Sequence, residues 1–91
     1  MNKLTRQQAQ KHAKVMREFA AKYRADGLKE WKDEADMIAM ILGDAKDYRK
    51  IAQLLRLNKI GEASDLAQSM DTSPRETIPD SVWNVMIGEE Y

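Results

Sequence analysis

The spacing of the apolar residues constrains the fold of this chain more than any other feature of its sequence. Apolar side chains recur three and four positions apart, the period of one helix face, and no segment alternates apolar and polar residues as a half-buried β-strand does. The chain has 91 residues, 43% hydrophobic and 33% charged, enough for one hydrophobic core. We therefore predict a single all-α domain over residues 1–91, a small bundle of about four helices with a short C-terminal helical turn.

The first helix has a clear start signal. Thr5 followed by Gln8 is the capping-box pattern, and Leu4 is placed as its hydrophobic staple. We predict a helix over 6–25 that ends before Gly27, because glycine commonly closes helices. The positions expected to face the core form one stripe: Ala9, His12, Ala13, Met16, Phe19, Ala20 and Tyr23.

A second helix is predicted over 28–42, with Gly43 ending it. From Met37 onward nearly every position is apolar, so this half of the helix is expected to be buried almost all round. Its bundle-type seam has the spacing 3, 4, 3, 4: Leu28, Trp31, Ala35, Ile38 and Leu42.

The later segments are separated by turn-forming residues. Asp44 is placed to cap a third helix over 45–58, and a tight turn leads from there into a fourth helix over 61–70. Residues 71–80 contain both prolines, which predicts a surface connector. A short helical turn over 81–87 follows it.

No residue pattern supports catalysis or metal binding. Cys is absent, and the single histidine, His12, lies on the apolar stripe with no acidic residue three or four positions away. Such a histidine is usually structural, because a base or a metal ligand needs partners. The acidic residues between 30 and 36 lack calcium-loop spacing and suit ion pairs with neighbouring lysines on a solvated helix face. We predict no enzyme activity, no metal and no cofactor.

Neither a membrane span nor a disulfide framework is expected. The longest unbroken apolar run covers residues 37–42, far short of the roughly 20 residues that span a bilayer. The absence of Cys suits a reducing compartment, which favours the cytoplasm.

Positive charge is concentrated near the N-terminus although the net charge is zero. Residues 1–32 hold nine Lys or Arg against three Asp or Glu, so the rest of the chain is net negative. This division favours an acidic protein surface or a nucleic acid as partner, or head-to-tail assembly of several copies, although a merely solvated face requires the same residues. The candidate partner-binding residues on the first helix are Lys11, Lys14, Arg17, Lys22 and Arg24.

The C-terminal turn offers a second candidate surface. Val82, Trp83 and Met86 share one side of it, and large apolar side chains of this kind anchor many protein interfaces. The same side chains would also stabilise a small domain if the turn packed on the core of the chain itself. The sequence leaves both alternatives open.

Two stretches resemble a known family. Residues 79–83, Pro-Asp-Ser-Val-Trp, resemble the C-terminal Pro-x-Ser-Val-Trp of the Hha/YmoA family, small helical bacterial proteins that bind a nucleoid-structuring silencer and modulate gene repression. Upstream, Ala45, Asp47 and Arg49 resemble that family's Ala-x-Asp-His-Arg helix, with Tyr48 in place of the histidine. The resemblance implies a regulatory, protein-binding role, with Trp83 packing the last turn against the core.

We therefore predict a small non-enzymatic accessory or regulatory protein that binds and modulates or inhibits a macromolecular partner. That partner is expected to be another protein, with an acidic or mixed surface. The alternatives are a nucleic-acid-binding protein that uses the basic face of the first helix, and a self-assembling structural subunit.

Overall fold

Four α-helices form the fold in the computed structural model, which describes residues 4–70 and 77–87. No β-strand occurs in this described part, so the all-α prediction is confirmed. The helices are α1 (Arg6–Glu30), α2 (Ala35–Arg56), α3 (Ile60–Ser69) and α4 (Asp80–Ile87). None of them is long and apolar enough to cross a membrane.

The start of α1 is as predicted. The Gln8 backbone N–H donates to the Thr5 hydroxyl at 3.1 Å, and the Thr5 backbone N–H donates to the Gln8 side-chain oxygen at 2.9 Å. Leu4 and Ala9 are both buried at this end of the helix, as a hydrophobic staple requires. The predicted stripe is also confirmed, since every one of its positions is buried or half-buried.

The end of α1 was predicted wrongly, because the helix continues through Gly27 to Glu30. Gly27 lies where α1 and α2 pack closely: a Cβ atom there would be 2.7 Å from Cγ2 of the buried Ile41. The glycine therefore serves the packing of two helices rather than the termination of one. The Trp31 backbone N–H, which donates to the Gly27 carbonyl, caps the helix instead.

The predicted break at Gly43 is also wrong, because α2 runs unbroken through it. A helix-interior glycine costs only about 1 kcal/mol, and the buried positions Ile41, Ala45 and Tyr48 continue as one stripe on both sides of it. The predicted helices over 28–42 and 45–58 are thus largely one helix. Asp44, predicted as an N-cap, lies inside α2 and is buried.

The two glycines give a matched pair of substitutions. Gly27→Ala is expected to lower the free energy of unfolding by about 1 kcal/mol, because overpacking against Ile41 exceeds the gain in helix propensity. Gly43→Ala meets nothing within 4 Å and is expected to raise it by about 0.5–1 kcal/mol. Urea unfolding followed by circular dichroism measures both, and equal stabilisation by the two substitutions would contradict the close packing at Gly27.

The first half of α2 is more exposed than predicted. Met40 is 45% exposed and Leu42 39% exposed, and Trp31 in the preceding turn is 38% exposed. All-round burial fails here because the main core takes α2 residues only from Tyr48 onward, where α3 and α4 add further layers. The predicted ion pairs Lys29–Asp33 and Lys32–Asp36 do not form, since a turn separates α1 from α2 at this point.

Asn58 joins the N-terminus to the turn between α2 and α3. It has a φ of 60°, a left-handed conformation that asparagine adopts more readily than most residues. Its side chain accepts from the Leu4 backbone N–H at 3.1 Å and donates to the Leu4 carbonyl at 2.7 Å. The predicted turn is therefore present, although α3 already begins at Ile60 and includes Gly61.

Three aromatic rings pack α1 against α2. The ring centroid of Tyr48 lies 5.0 Å from that of Phe19 and 5.1 Å from that of Tyr23, both in edge-on geometry. Tyr48 is fully buried, and its hydroxyl is hydrogen-bonded to the hydroxyl of Thr77 at 2.9 Å. The Tyr23 hydroxyl donates to the buried Asp44 carboxylate at 3.1 Å.

Because of the environment of Tyr23, the free energy of unfolding is expected to decrease at alkaline pH. Burial, followed by the hydrogen bond to Asp44 and the nearby negative charge, raises the pKa of Tyr23 from 10.0 to about 12. Because the folded-state pKa lies above the unfolded one, the contribution of Tyr23 is complete below pH 10 and is lost as the pH rises through about 12. Wild-type stability is expected to fall more steeply over this interval than that of Tyr23→Phe, measured by urea unfolding, and equal slopes would contradict the assignment.

The C-terminal helix α4 packs on the rest of the chain. Val82 is fully buried, Val85 and Met86 are each 5% exposed, and Trp83 is half-buried against the core. The helix packs mainly on α3 and α1. Val82 and Met86, predicted as partner-binding candidates, therefore belong to the core of this chain, because this small fold buries its large apolar side chains there. Of the predicted connector, residues 71–76 lie outside the described residues.

Candidate binding surface

Basic residues from α1 and α2 meet on one open surface. A depression of about 820 Å³ is lined by Arg17 of α1, by a stripe of α2 and by Leu66 of α3. A second depression of about 500 Å³ adjoins it, because Arg17 and Arg56 line both. We call this continuous area the basic groove; its six cations are Lys14, Arg17, Lys46, Arg49, Lys50 and Arg56.

The spacing of the α2 cations explains why they share a face. Counted from Lys46, Arg49 and Lys50 follow three and four positions later, and Arg56 follows after ten. At 100° per residue these positions fall within about 120° of one another, with Lys50 opposite the buried stripe of α2 and Arg56 at its edge. The predicted break at Gly43 would have separated this stripe from the rest of α2, whereas the continuous helix fixes its position relative to α1.

Among the described residues, the basic groove is lined by one carboxylate and by six cations that form no ion pairs. Asp47 is the only carboxylate of the described part of the chain that lines the two depressions. None of the six cations forms an ion pair with any residue in 4–70 or 77–87. Lys14, Arg17, Lys46, Arg49, Lys50 and Arg56 are all exposed. A cluster of unpaired positive charge of this kind attracts anionic groups and orients them during encounter.

The predicted basic residues of α1 are not all in the groove. Lys14 and Arg17 line it, whereas Lys11, Lys22 and Arg24 are absent from its lining. Lys11 and Lys22 lie about 120° and 140° around the helix from Arg17, on the outer side of α1. They are exposed and belong to a solvated face.

Sequence reasoning missed the four cations of α2. They lie in the part of the chain with net negative charge, so counting charge along the sequence hides them. The signal that identifies them is their spacing of three and four on the polar face of α2, read after the helix is recognised as continuous.

At one end of the basic groove, apolar, basic and acidic side chains lie together. A third depression, of about 510 Å³, shares Lys50, Gln53 and Leu66 with the first. It adds Leu57, which is 55% exposed, and Glu62, which pairs with Lys59 at 3.9 Å. The surface thus passes from unpaired cations to a region of leucines, cations and carboxylates together. No aromatic side chain of residues 4–70 or 77–87 lines any of the three depressions.

Within the described residues, no group of three or more His, Asp or Glu side chains is arranged to hold a metal ion. His12 is half-buried on the α1 stripe, at the position the sequence assigned to it. The groove is lined by cations together with Leu66.

Comparisons with known proteins give no relative: no family model, no curated protein and no solved structure matches the chain.

Proposed function

We propose that this chain is a small non-enzymatic accessory protein that binds an acidic segment of a partner protein in the basic groove and thereby modulates or inhibits the partner. The observation that carries the proposal is the convergence of six unpaired cations from two helices on one open surface. The similarity of residues 79–83 to the Hha/YmoA family supports a regulatory role, and the absence of Cys suits action in the cytoplasm.

The groove lining favours a protein over a nucleic acid. Leu57 and Leu66 give the mixed end apolar area that an amphipathic acidic segment would cover. Asp47 and Glu62 would repel a phosphate backbone but accept hydrogen bonds from a protein of mixed charge. Single-stranded nucleic acids are usually held by stacking on aromatic side chains, and no aromatic residue of the described part of the chain lines the groove.

The test is capture of partners from a lysate followed by zero-length cross-linking with a carbodiimide. This reagent joins a lysine amine to a carboxylate in direct contact, so it reports which lysines touch acidic residues. We expect partner cross-links at Lys14, Lys46 and Lys50, while Lys11 and Lys22 on the outer side of α1 serve as internal controls. Cross-links concentrated at Lys11 and Lys22 would contradict the proposal.

A nucleic acid is the second candidate function, favoured by the number of unpaired cations alone. A protein that neutralises phosphates loses affinity steeply with salt, with a slope of about 0.9 per contact on duplex DNA. A mobility shift at low salt that weakens with a slope of about 4 or more would support this candidate. Absence of binding to duplex DNA and single-stranded RNA at low salt would exclude it.

A further inference from the structure

We infer that a second copy of this chain docks on the exposed apolar seam in the first half of α2, forming a two-fold symmetric dimer. This exposed seam consists of four residues of α2 only: Ala35, Ile38, Ala39 and Leu42. Their spacing of 3, 1 and 3 places them on one side of the helix, as in a helix pair. Ala35 and Ala39 are exposed, Leu42 is 39% exposed and Ile38 is half-buried. The surface is separate from the hydrophobic core, which takes α2 residues only from Tyr48 onward.

The seam is complementary to itself when two copies run antiparallel. Centred between Ile38 and Ala39, this pairing places Leu42 of one copy against Ala35 of the second. It also places Ile38 against Ala39. Each large side chain then faces a small one, the alternation that lets two helices pack closely. Because no other described helix packs on the hairpin of α1 and α2 here, a second hairpin supplies the two helices of a four-helix arrangement.

Charge also matches a second copy. In the same antiparallel register, Lys46 of one copy lies opposite the turn at 31–34 of the other, which holds Asp33 and Glu34 beside Lys32, and the symmetry repeats the contact. None of the side chains of Lys46, Asp33 and Glu34 forms an ion pair with a described residue of its own chain. Within one chain, Lys46 is separated from the start of α2 by eleven residues, about 16 Å along the helix, so these charges meet only between copies.

The dimer is expected to be weak. The seam and its charged ends supply far fewer than the 20–30 residues that each partner gives to a standard interface, which suggests dissociation in the micromolar range or above. The other groove cations, among them Arg17 and Arg56, remain exposed. The dimer would therefore present two basic grooves, one from each copy.

Sedimentation equilibrium of the purified chain, from about 1 µM to about 1 mM, tests the inference without any partner. The mass should rise from 10.5 kDa towards twice that value and stop there. Leu42→Asp should weaken association at least tenfold. Met40→Asp should leave it unchanged, because Met40 is as exposed but lies about 160° around α2 from Leu42. A chain that stays monomeric, grows beyond two copies or responds equally to both substitutions overturns the inference.

A charge exchange at exposed positions provides the second test. Lys46→Glu and the pair Asp33→Lys and Glu34→Lys should each weaken the dimer, and combining all three should restore it. Circular dichroism melting curves check that each variant is folded. Failure of the combination to restore association would overturn the antiparallel register. Since the measurement uses the chain alone, its result is independent of whether the groove binds a partner.

Discussion

Val82→Asp is expected to unfold a large fraction of the chain. Val82 is fully buried, so the substitution places a carboxylate in an apolar environment with no described partner. Burying an unpaired charge is among the few single changes that cost about 4 kcal/mol or more, comparable to the whole stability of a small domain. Urea and thermal unfolding followed by circular dichroism measure the loss.

Ser81→Asp is the matched control for this substitution. It introduces the same carboxylate one residue away in α4, but at an exposed position in the first helical turn, where the helix dipole favours negative charge. Its melting curve should equal that of the wild type or lie slightly above it. If Val82→Asp also left the curve unchanged, α4 would not belong to the cooperatively folded core.

The placement of α4 bears on an alternative that the sequence left open. Val82, Trp83 and Met86 suited either a partner interface or the chain's own core, because both bury large apolar side chains. In the structure α4 packs on α1 and α3, with Val82 and Met86 buried and Trp83 half-buried. No local pattern distinguishes the two outcomes, since the deciding quantity is the apolar area left uncovered by the other three helices.

Local signals predicted where α1 begins but not where the helices end. The capping box of Thr5 and Gln8 is a contact between neighbours in sequence, so the sequence reveals it directly. Judged from their sequence neighbours alone, Gly27 and Gly43 indicate helix ends. Gly27 is needed for a different reason, because Ile41 of α2 packs so closely on it that a Cβ atom would not fit. Gly43 is tolerated because the stripe around it is buried against α1. Tertiary packing overrides the local preference at both positions.

Only part of the basic groove could be predicted from the sequence, because its cations share a face of the folded chain and not one segment of the sequence. Lys14 and Arg17 stand out in a strongly basic segment, whereas Arg49 and Arg56 lie in a part of the chain whose total charge is negative. A charge count along the chain groups residues that are neighbours in sequence. A partner instead contacts the charges that share one face of the fold. The groove is recognised only when α2 is one continuous helix beside α1.

The double substitution Arg17→Glu and Arg56→Glu is expected to lower affinity for the captured partner by about 100-fold or more. These two arginines line both basic depressions, so reversing them places like charge opposite the acidic segment at the centre of the groove. Like-charge contacts across an interface cost several kcal/mol, and 1.4 kcal/mol corresponds to about tenfold in affinity. Calorimetric titration with the purified partner measures the change.

Lys11→Glu with Lys22→Glu separates contact from overall charge. This pair changes the net charge by the same amount on the outer side of α1, outside the groove lining. At about 0.1 M salt the screening length is about 10 Å, so charges outside the groove lining should alter affinity only a few-fold. Equal losses from the two pairs would mean that the partner responds to the net charge of the chain. A loss confined to the arginine pair would locate the contact in the groove.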